Sequence, residues 1–387
     1  MVSQPLNIFE KSDLTRENGA GITLSPNCTT LLKRFDVDLK SAGGTELRKG
    51  CFITPTGEVL FEADYEKVKN ATQADYFCIR RVDLHNELRR KATAADGKGP
   101  PVQLSTGCTV SQVDCDRGIV TLADGQQKYG DVVVVADGSH SKIRKDVTGC
   151  EIQPIHTEKS CYRCFASIAD IKSDPETARL VEASGTMTEI IGDDRRITFY
   201  PCSNESMYVG AFLPTSEVGP TQEGKGWGRS GNKADLLASF SDFPLPMRQL
   251  LAKAPEHGIK VWDLFDCPEI EEWTKGRAAL IGDAAHPFLP YMGQGGAMAI
   301  EDAASIAVLL PMGATAAEVP ARLELFQRCR SERVHNCLRM TRLRGRDLSG
   351  KQGQLPTGRE MAEFAKYCLD HDEWEHSSAI LGGIWWE

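Results

Sequence analysis

The residues best suited to bind a ligand lie in the segment 276–303. The segment reads as a buried strand ending at Gly282-Asp283, a loop punctuated by prolines, and a glycine-rich turn that opens a helix near Gly296. Small residues let the backbone approach a large flat ligand, and the first turn of a helix offers N–H donors to a negatively charged oxygen. Asp283 can accept a hydrogen bond from a sugar-like hydroxyl. The segment therefore favours a ligand site, although its composition alone also fits a tight loop.

The carboxylate of Glu10 is a second candidate, because it closes the short strand-like run 6–9. In nucleotide-binding α/β folds, an acidic residue at such a strand end lies about 20 residues after a glycine-rich turn and holds a ribose hydroxyl. Residues 1–5 contain no glycine. Glu10 is therefore either a surface carboxylate or one part of a nucleotide site.

The pattern G-x-G-x-x-G occurs at 226–231, but its context does not suit a dinucleotide site. A phosphate-binding turn needs a strand before it to aim the backbone N–H groups at a pyrophosphate. Residues 217–223 read as a loop. We therefore interpret 226–231 as part of a loop and not as a phosphate site.

Two continuous apolar runs, 131–136 and 277–281, are typical of strands buried on both faces. A helix is predicted to start at Pro26, with Ser25 as its N-cap, and to end near Phe35. Further helices are expected at 83–92, 320–347 and 358–369. Together these elements predict an α/β fold of the nucleotide-binding type.

The pattern changes between about 151 and 265, where short strands such as 187–191, 196–200 and 206–212 are joined by polar turns. Alternating strands of this kind predict an antiparallel sheet in a separate domain. We therefore divide the chain into a first part of the nucleotide-type domain at 1–150, an antiparallel domain at 151–265, a second part of the nucleotide-type domain at 266–345 and a C-terminal helical segment at 346–387.

Composition narrows the class of protein. The 387 residues are 41% hydrophobic and 26% charged, which suits a globular chain of about two domains. The net charge of −9 opposes binding to nucleic acid or to an anionic membrane, because both require a basic surface. No apolar run has the ~18 residues of a membrane span, and no signal segment follows Met1. We therefore expect a cytoplasmic protein that acts on a small molecule.

The thirteen scattered cysteines favour reduced thiols over a disulfide framework. Cys161 and Cys164 have C-x-x-C spacing, but without a second pair they fit a packed strand better than a zinc site. His371 and His376 are five residues apart, a spacing that would turn them to different faces of a helix. We expect an exposed polar segment at 371–376 and no metal site.

Three segments resemble, in the same order, motifs of the FAD-dependent aromatic hydroxylases, which are group A flavoprotein monooxygenases. The segment 276–303 resembles their GD motif through Gly282-Asp283, and 135–144 resembles their DG motif through Asp137-Gly138. The segment 80–88 resembles the stretch whose arginine, here Arg81, reaches FAD. The resemblance covers nearly the whole chain and is strongest to the salicylate-hydroxylase-like branch common in fungi.

The resemblance implies a Rossmann-like FAD-binding domain that is interrupted by an antiparallel substrate domain and followed by C-terminal helices. It implies FAD as cofactor, NAD(P)H as cosubstrate and O2 as oxidant. A flavin hydroperoxide would then hydroxylate an aromatic or phenolic small molecule, in secondary metabolism. The residues that the resemblance places at FAD are Glu10, Ala20, Gly21, Arg81, Asp137, Asp283, Gly296 and Ala297.

Two further residues match positions that hold the phenolic substrate in dearomatising fungal relatives. Arg163 would stabilise a phenolate oxygen, and Tyr200 would donate a hydrogen bond to it. Strand residues with structural hydrogen bonds are an equally good interpretation of both positions, because alternate residues of any strand point inward. His286 would either face the flavin edge or hold a turn.

The family's opening strand and G-x-G-x-x-G turn have no counterpart before Glu10. That turn supplies the helix N-terminus that holds the pyrophosphate. We therefore expect residues 1–387 to bind FAD weakly and to be prone to aggregation, and a form extended by such a segment to bind FAD well. The alternatives are a flavin-free or inactive relative, which would use the substrate pocket for non-redox chemistry, and an incorrectly placed start of the gene.

Overall fold

The structure, a computed structural model, describes residues 5–14, 20–97, 99–182, 184–219, 229–346 and 357–384. Its strands are β1 (Asn7–Phe9), β2 (Gly21–Leu24), β3 (Thr45–Leu47), β4 (Lys49–Ile53), β5 (Val59–Asp64), β6 (Tyr76–Arg80), β7 (Gln103–Ser105), β8 (Val110–Asp114), β9 (Ile119–Leu122), β10 (Gln127–Tyr129), β11 (Val133–Val135), β12 (Ile155–Ser167), β13 (Thr186–Ile191), β14 (Arg196–Pro201), β15 (Ser206–Pro214), β16 (Arg229–Ser230), β17 (Lys260–Asp266), β18 (Thr274–Lys275) and β19 (Ala278–Leu280). Its helices are α1 (Pro26–Arg34), α2 (Tyr65–Thr72), α3 (Arg81–Thr93), α4 (Arg144–Thr148), α5 (Ile168–Ser173), α6 (Pro175–Ala178), α7 (Lys233–Ser239), α8 (Leu245–Ala252), α9 (Gly295–Leu309), α10 (Val319–Arg344), α11 (Gly358–Leu369) and α12 (Glu373–Ile384). Short 3-10 turns lie at Arg179–Val181, Thr215–Glu217, Gly282–Ala284 and Pro290–Met292. The chain is therefore a mixed α/β protein, as the sequence predicts.

Within the described residues, the largest sheet has eight strands in the order β16-β17-β12-β15-β14-β13-β4-β5. Neighbouring strands run antiparallel, except that β13 and β4 are parallel. Strands β12 to β17 lie within 155–266, where the sequence predicts an antiparallel sheet. Strands β4 and β5 come from 49–64, so the sheet also draws on the first part of the chain.

One face of this large sheet packs on helices α5 to α8. Ile171, Leu236 and Leu250 of those helices are buried in one apolar cluster with Val209 of the sheet. The residues 207–213 of β15 are all buried, so both faces of that strand are covered. Simple alternation of buried and exposed residues is therefore lost in β15, whose Tyr208 and Phe212 line a cavity on the second face of the sheet.

The remaining strands form small sheets, which among the described residues are β1-β7, β2-β6-β3, β10-β9-β8 and β11-β19-β18. Strands β11 and β19 are parallel and correspond to the two apolar runs of the sequence. The prediction that the first run is buried on both faces is wrong, because Val134 is 38% exposed between the buried Val133 and Val135. A three-residue strand at the edge of a small sheet is covered on one face only.

The long helices follow the apolar patterns of the sequence. Helix α9 starts at Gly295, directly after the glycine-rich turn, and α11 has the predicted bounds Gly358–Leu369. Cys161 and Cys164 are buried in β12, as the packed-strand interpretation predicts. None of the described helices has the length and the hydropathy that crossing a membrane requires.

The prediction of an exposed polar segment at 371–376 is wrong. Glu373 is fully buried as the first residue of α12. The ring centroids of His371 and His376 lie 5.4 Å apart, because His371 precedes the helix and does not follow helical spacing. Residues 226–228 of the predicted loop lie outside the described residues, and Arg229–Ser230 form the short strand β16 and not a loop.

Strand β2 lies directly against the large sheet at Gly21. A Cβ atom at this position would come within 2.8 Å of the rings of Tyr200 and Tyr208 and within 2.9 Å of the Cys202 sulfur. Non-bonded carbons pack at about 3.5–4.0 Å, so any side chain here would force the tyrosines to move. The absence of a side chain at Gly21 therefore sets how closely the two parts of the fold approach.

We expect the substitution Gly21→Ala to lower the free energy of unfolding by about 1–3 kcal/mol, because overpacking strains a filled interior. Urea unfolding monitored by tyrosine and tryptophan fluorescence measures this change. The matched control is Gly99→Ala, whose added Cβ would meet no atom within 4 Å. Equal unfolding free energies for the two variants would contradict the prediction.

Candidate functional site

A cavity of about 640 Å³ lies between the second face of the large sheet and the loop 290–296. Its walls include residues of β12, β13, β14 and β15, of β2, and of α11. The lining residues used below are Gly21, Arg163, Tyr200, Gly296, Arg344 and Cys368. A cavity of this size is typical of sites for small organic molecules.

The first turn of α9 lines this cavity through Gly295 and Gly296. No side chain caps the turn, and it carries no acidic residue. Uncapped N–H groups at a helix start carry partial positive charge, so this end of the cavity suits a carbonyl or anionic oxygen. A Cβ at position 296 would lie 2.6 Å from Cδ1 of Ile22, which accounts for glycine there.

Arg163 lines the cavity from β12. The central carbon of its guanidinium lies 4.7 Å from the ring centroid of Trp262, in a cation–π contact. Its Nε is buried and has no hydrogen-bond partner among the described residues. Arginine stays protonated in proteins. Arg163 therefore offers the cavity a positive charge.

Tyr200 lines the cavity from β14 and is 6% exposed. Its ring stacks on Tyr208, with 4.8 Å between centroids. Burial raises the pKa of Tyr200 well above its ordinary value, Tyr208 acts in the same direction, and Arg163 acts against it. Tyr200 therefore remains a neutral hydroxyl that can donate a hydrogen bond.

Two of the residues predicted to bind cofactor lie outside the cavity lining but near each other. Glu10 follows β1, is half-buried, and accepts a hydrogen bond of 2.8 Å from the backbone N–H of Ser12. Burial lowers the pKa of His85. The charges of Arg89 and Arg81 lower this pKa further, and the charge of Glu10 opposes them. Glu10 and Arg81 therefore lie within electrostatic reach of one histidine.

Asp283 follows β19 at the start of a 3-10 turn and is half-buried. Burial raises the pKa of its carboxyl group, while His286, Arg81 and Arg144 act in the opposite direction. No hydrogen bond from another described residue reaches the carboxylate. Asp283 is therefore an open acceptor that lies within electrostatic reach of Arg81.

The other predicted residues have local roles in the fold. Asp137 is exposed, and its carboxylate accepts hydrogen bonds from the backbone N–H groups of Lys142 and Ile143. Ala20 and Ala297 are 4% and 0% exposed and do not line the cavity. The structure therefore brings Gly21, Gly296, Arg163 and Tyr200 into one cavity and leaves the remaining candidates outside its lining.

Arg144 joins the two loops that carry Asp137 and Asp283. It is 3% exposed, and its guanidinium donates to three backbone carbonyl oxygens at 2.7–3.1 Å, those of Ser139, Asp283 and Ala284. Sequence reasoning assigned no role to Arg144. The only signal for such a role was its place at the end of the segment 135–144.

A buried group of charges lies behind the first turn of α9. Glu301 and Asp302 are fully buried on α9 and pair with Arg330 of α10, at 2.7 Å and 2.9 Å respectively. Arg333 donates to both oxygens of Glu301 at 2.7 and 2.8 Å. Glu373 of α12 reaches Arg330 at 2.5 Å. Three helices are thus joined by five buried charges, which we call the ionic network.

The ionic network contacts the turn at Gly282 on one side and helix α1 on the other. Asp302 accepts a hydrogen bond of 2.8 Å from the Gly282 N–H and lies 2.6 Å from Nε2 of His286. Asn27 of α1 donates to Glu301 at 2.7 Å. His286 is buried and held by Asp302, which favours the turn-holding alternative for this residue. The network therefore fixes the turn at Gly282 relative to α9.

Glu301, His371 and Glu373 are close enough together to suggest a metal site. The guanidinium of Arg330 lies within 2.7 Å of both carboxylates, so a cation already occupies their centre. The group is an ion-pair cluster. Sequence reasoning missed the network, whose signal was the acidic pair 301–302 inside an otherwise apolar helix.

Comparisons with known proteins agree with this geometry. The FAD binding domain family matches residues 119–341. The FAD-dependent monooxygenase phomE' of Diaporthe leptostromiformis is 33% identical over 84% of this chain and 83% of its own length. Hispidin-3-hydroxylase of Neonothopanus nambi is 30% identical over 85% of this chain and 80% of its own length. A salicylate hydroxylase solved with its substrate shares the fold, with a TM-score of 0.75, 20% identity and 97% coverage of each chain.

The matched family and the relatives define an FAD-binding α/β enzyme. The chain belongs to the family of FAD-dependent monooxygenases. The sequence-based expectations of the fold and of this family are confirmed.

The residues present fit the flavin end of FAD. The uncapped first turn of α9 would supply N–H donors for a carbonyl oxygen of the ring system. Asp283 would supply an acceptor for a hydroxyl of the sugar chain. The remaining predicted contacts to FAD, among them those of Glu10 and Arg81, stay predictions.

We expect Asp302→Asn to lower the free energy of unfolding at neutral pH by about 3 kcal/mol, because it leaves a buried guanidinium with one carboxylate fewer. Burial acts to raise the pKa of Asp302, but His286 and Arg330 outweigh burial and lower the pKa from 3.8 to about 2. A carboxylate with a lowered pKa in the folded state stabilises the protein above its unfolded pKa and loses that effect as the pH falls through the folded value. The difference in the free energy of unfolding between wild type and variant should therefore shrink as the pH falls from about 5 to about 2.

Urea unfolding at several pH values measures this difference. Asp242→Asn is the control, because Asp242 is exposed. A difference between wild type and Asp302→Asn that stays constant down to the acid limit would argue against a role for the charge of Asp302.

Proposed function

We propose that the chain is an FAD-, NAD(P)H- and O2-dependent monooxygenase that hydroxylates an aromatic or phenolic small molecule. The observation that carries the proposal is that Arg163 and Tyr200 share one cavity with the uncapped first turn of α9. A cofactor ring held at that turn and a substrate held at Arg163 would lie in the same cavity. The activity in the name of one relative, hispidin-3-hydroxylase, supports hydroxylation as the reaction.

The bound FAD would supply the transfer of electrons from NAD(P)H to O2. The chain's own residues would bind and orient the cofactor and the substrate, and they would exclude water. The N–H groups of α9 and the carboxylate of Asp283 would hold the flavin end of FAD. The choice of NAD(P)H rests on the resemblance of 135–144 to the DG motif. We further propose a place in secondary metabolism and in the cytoplasm.

Arg163 and Tyr200 would hold the substrate oxygen. A phenol becomes electron-rich, and so more reactive toward an oxidant, when its hydroxyl loses its proton. The cation of Arg163 would stabilise the resulting oxyanion. Tyr200 keeps its own proton, since burial raises its pKa, and therefore donates to the same oxygen.

Among the described residues, Arg163 forms no ion pair with a carboxylate, so an anionic substrate oxygen would be its counter-charge. Arg344 lines the cavity and pairs with one oxygen of Glu189 at 2.9 Å, while Arg196 approaches the other oxygen at 3.4 Å. One carboxylate thus serves two guanidiniums, of which that of Arg344 lines the cavity. A phenolate bound at Arg163 would supply the counter-charge that this side chain lacks. The flavin-free alternative has no comparable support among the described residues.

We expect product formation to require NAD(P)H and O2 together. Purified protein supplied with FAD would be incubated with NADPH or NADH and a panel of phenols that includes salicylate. A monooxygenase consumes one O2 and one NAD(P)H for each oxygen atom added to the product, and it releases one water. Oxygen uptake, cofactor absorbance and product mass measure these quantities. Formation of the same product without O2 would overturn the proposal.

We expect Arg163→Ala to lower kcat/KM for a phenol by about 10²–10³, because it removes the group that stabilises the oxyanion. Tyr200→Phe should have a smaller effect, and neither change should reduce the amount of flavin bound. Arg117→Ala serves as control, since Arg117 is exposed and does not line the cavity. Equal loss of flavin and of activity in Arg163→Ala would assign Arg163 a structural role instead.

A further inference from the structure

Two buried thiols meet between helices α10 and α11. Cys337 and Cys368 are 1% and 2% exposed, and their sulfur atoms lie 3.6 Å apart. A disulfide has a sulfur–sulfur bond of about 2.05 Å, so the two sulfur atoms are about 1.5 Å farther apart than bonded sulfurs. The thiols are 31 residues apart in sequence, so a bond between them would close a loop of that length.

The pair is held in place by Arg333, one helical turn before Cys337. The guanidinium of Arg333 donates to the backbone carbonyl oxygens of Tyr367 and Cys368 at 3.2 and 3.0 Å. These hydrogen bonds fix the C-terminal end of α11 against α10. The proximity of the two sulfur atoms therefore follows from anchored backbone positions.

The surroundings also favour reaction at this pair. A hydrogen bond from the Cys368 thiol lowers the pKa of the Cys337 thiol, burial acts in the opposite direction, and Arg333 adds to the lowering. The thiolate is the reactive form of cysteine. Cys368 lines the candidate cavity and Cys337 does not, so a small oxidant would approach the pair from the side of Cys368.

We propose that Cys337 and Cys368 form a peroxide-sensitive dithiol, whose oxidation to a disulfide fixes α11 as a wall of the cavity. One thiolate attacks hydrogen peroxide, the O–O bond breaks, and a sulfenic acid forms. The second sulfur then displaces the hydroxyl of the sulfenic acid, and the S–S bond forms. In sum, two thiols and one peroxide give one disulfide and two waters. The sulfur atoms lose two electrons, and the peroxide gains them.

The disulfide would act on the site through α11. Six residues of this helix line the cavity, namely Met361, Ala362, Ala365, Lys366, Cys368 and Leu369. In the reduced form, hydrogen bonds and packing alone hold this wall to α10. In the oxidised form a covalent bond would hold it, and opening of the wall would become slower.

The test is titration of the full-length protein with hydrogen peroxide, followed by blocking of free thiols, proteolysis and mass spectrometry. We expect a cross-linked peptide pair containing Cys337 and Cys368, with the loss of two hydrogens, at lower peroxide doses than oxidation of any other cysteine. Dithiothreitol should reverse the change. Hydrogen exchange across 358–369 should slow several-fold in the oxidised protein, and Tm should rise by a few degrees.

Cys368→Ala and Cys337→Ala should each abolish the cross-link and the slowing of exchange. Cys329→Ala is the matched control, since Cys329 is a buried cysteine of the same helix. Oxidation of Cys337 or Cys368 to sulfinic acid without a cross-link would overturn the proposal, and so would prior oxidation of other cysteines. Unchanged exchange across 358–369 after cross-linking would overturn the effect on the cavity wall.

A second experiment identifies the source of the peroxide. It rests on the proposed function. Protein supplied with FAD, NADPH and O2, without substrate, should form the same cross-link if unproductive turnover releases peroxide into the cavity. Added catalase should leave part of this cross-link intact. Absence of the cross-link in this arm alone would count against the proposed redox activity. Absence of the cross-link with added peroxide would count against the dithiol itself.

Discussion

Two adjacent carboxylates on the buried helix α9 require the elements around them to supply cations and hydrogen-bond donors. Moving Glu301 and Asp302 out of water is costly, at several kcal/mol for each ion, unless cations and hydrogen-bond donors surround them. Arg330 and Arg333 of α10 supply the cations. Asn27 of α1 and the Gly282 N–H supply further hydrogen-bond donors, and Glu373 of α12 pairs with Arg330. Helix α9 can therefore be buried only when all of these elements are assembled around it.

The same contacts position the two ends of the candidate site, which are the first turn of α9 and the large sheet. The ionic network holds the turn at Gly282 and the first turn of α9 in one rigid unit. The large sheet carries Arg163 and Tyr200, and it meets this unit across Gly21, where no side chain separates the layers. Helix-end donors and a cationic side chain thus line one cavity although they come from different parts of the fold. This division lets one part hold a cofactor while the other selects a substrate.

Much of the fold follows from local patterns in the sequence, because apolar runs, alternating strands and glycine turns depend on neighbouring residues. The start of α9 and the bounds of α11 were predictable for that reason. The ionic network was not, since Glu301, Arg330 and Glu373 are distant in sequence from one another and from Asn27, which donates to Glu301. The wrong prediction for 371–376 has the same origin, because polar residues there are buried by partners that no local pattern shows. The resemblance placed Arg163 and Tyr200 together, and the structure supplied the cavity that they share.

The contacts of Arg144 have a consequence for how this site can vary between related proteins. Arg144 binds the backbone carbonyl oxygens of Ser139, Asp283 and Ala284, and every residue type presents the same carbonyl group. The link between the two loops therefore depends on the path of the backbone and not on the side chains at positions 139 and 284. Mutations at these two positions can accumulate without loosening the loops, provided that the backbone keeps its course. Arg144 itself has no such freedom, so evolutionary drift in this region should be unequal, with a fixed arginine surrounded by variable neighbours.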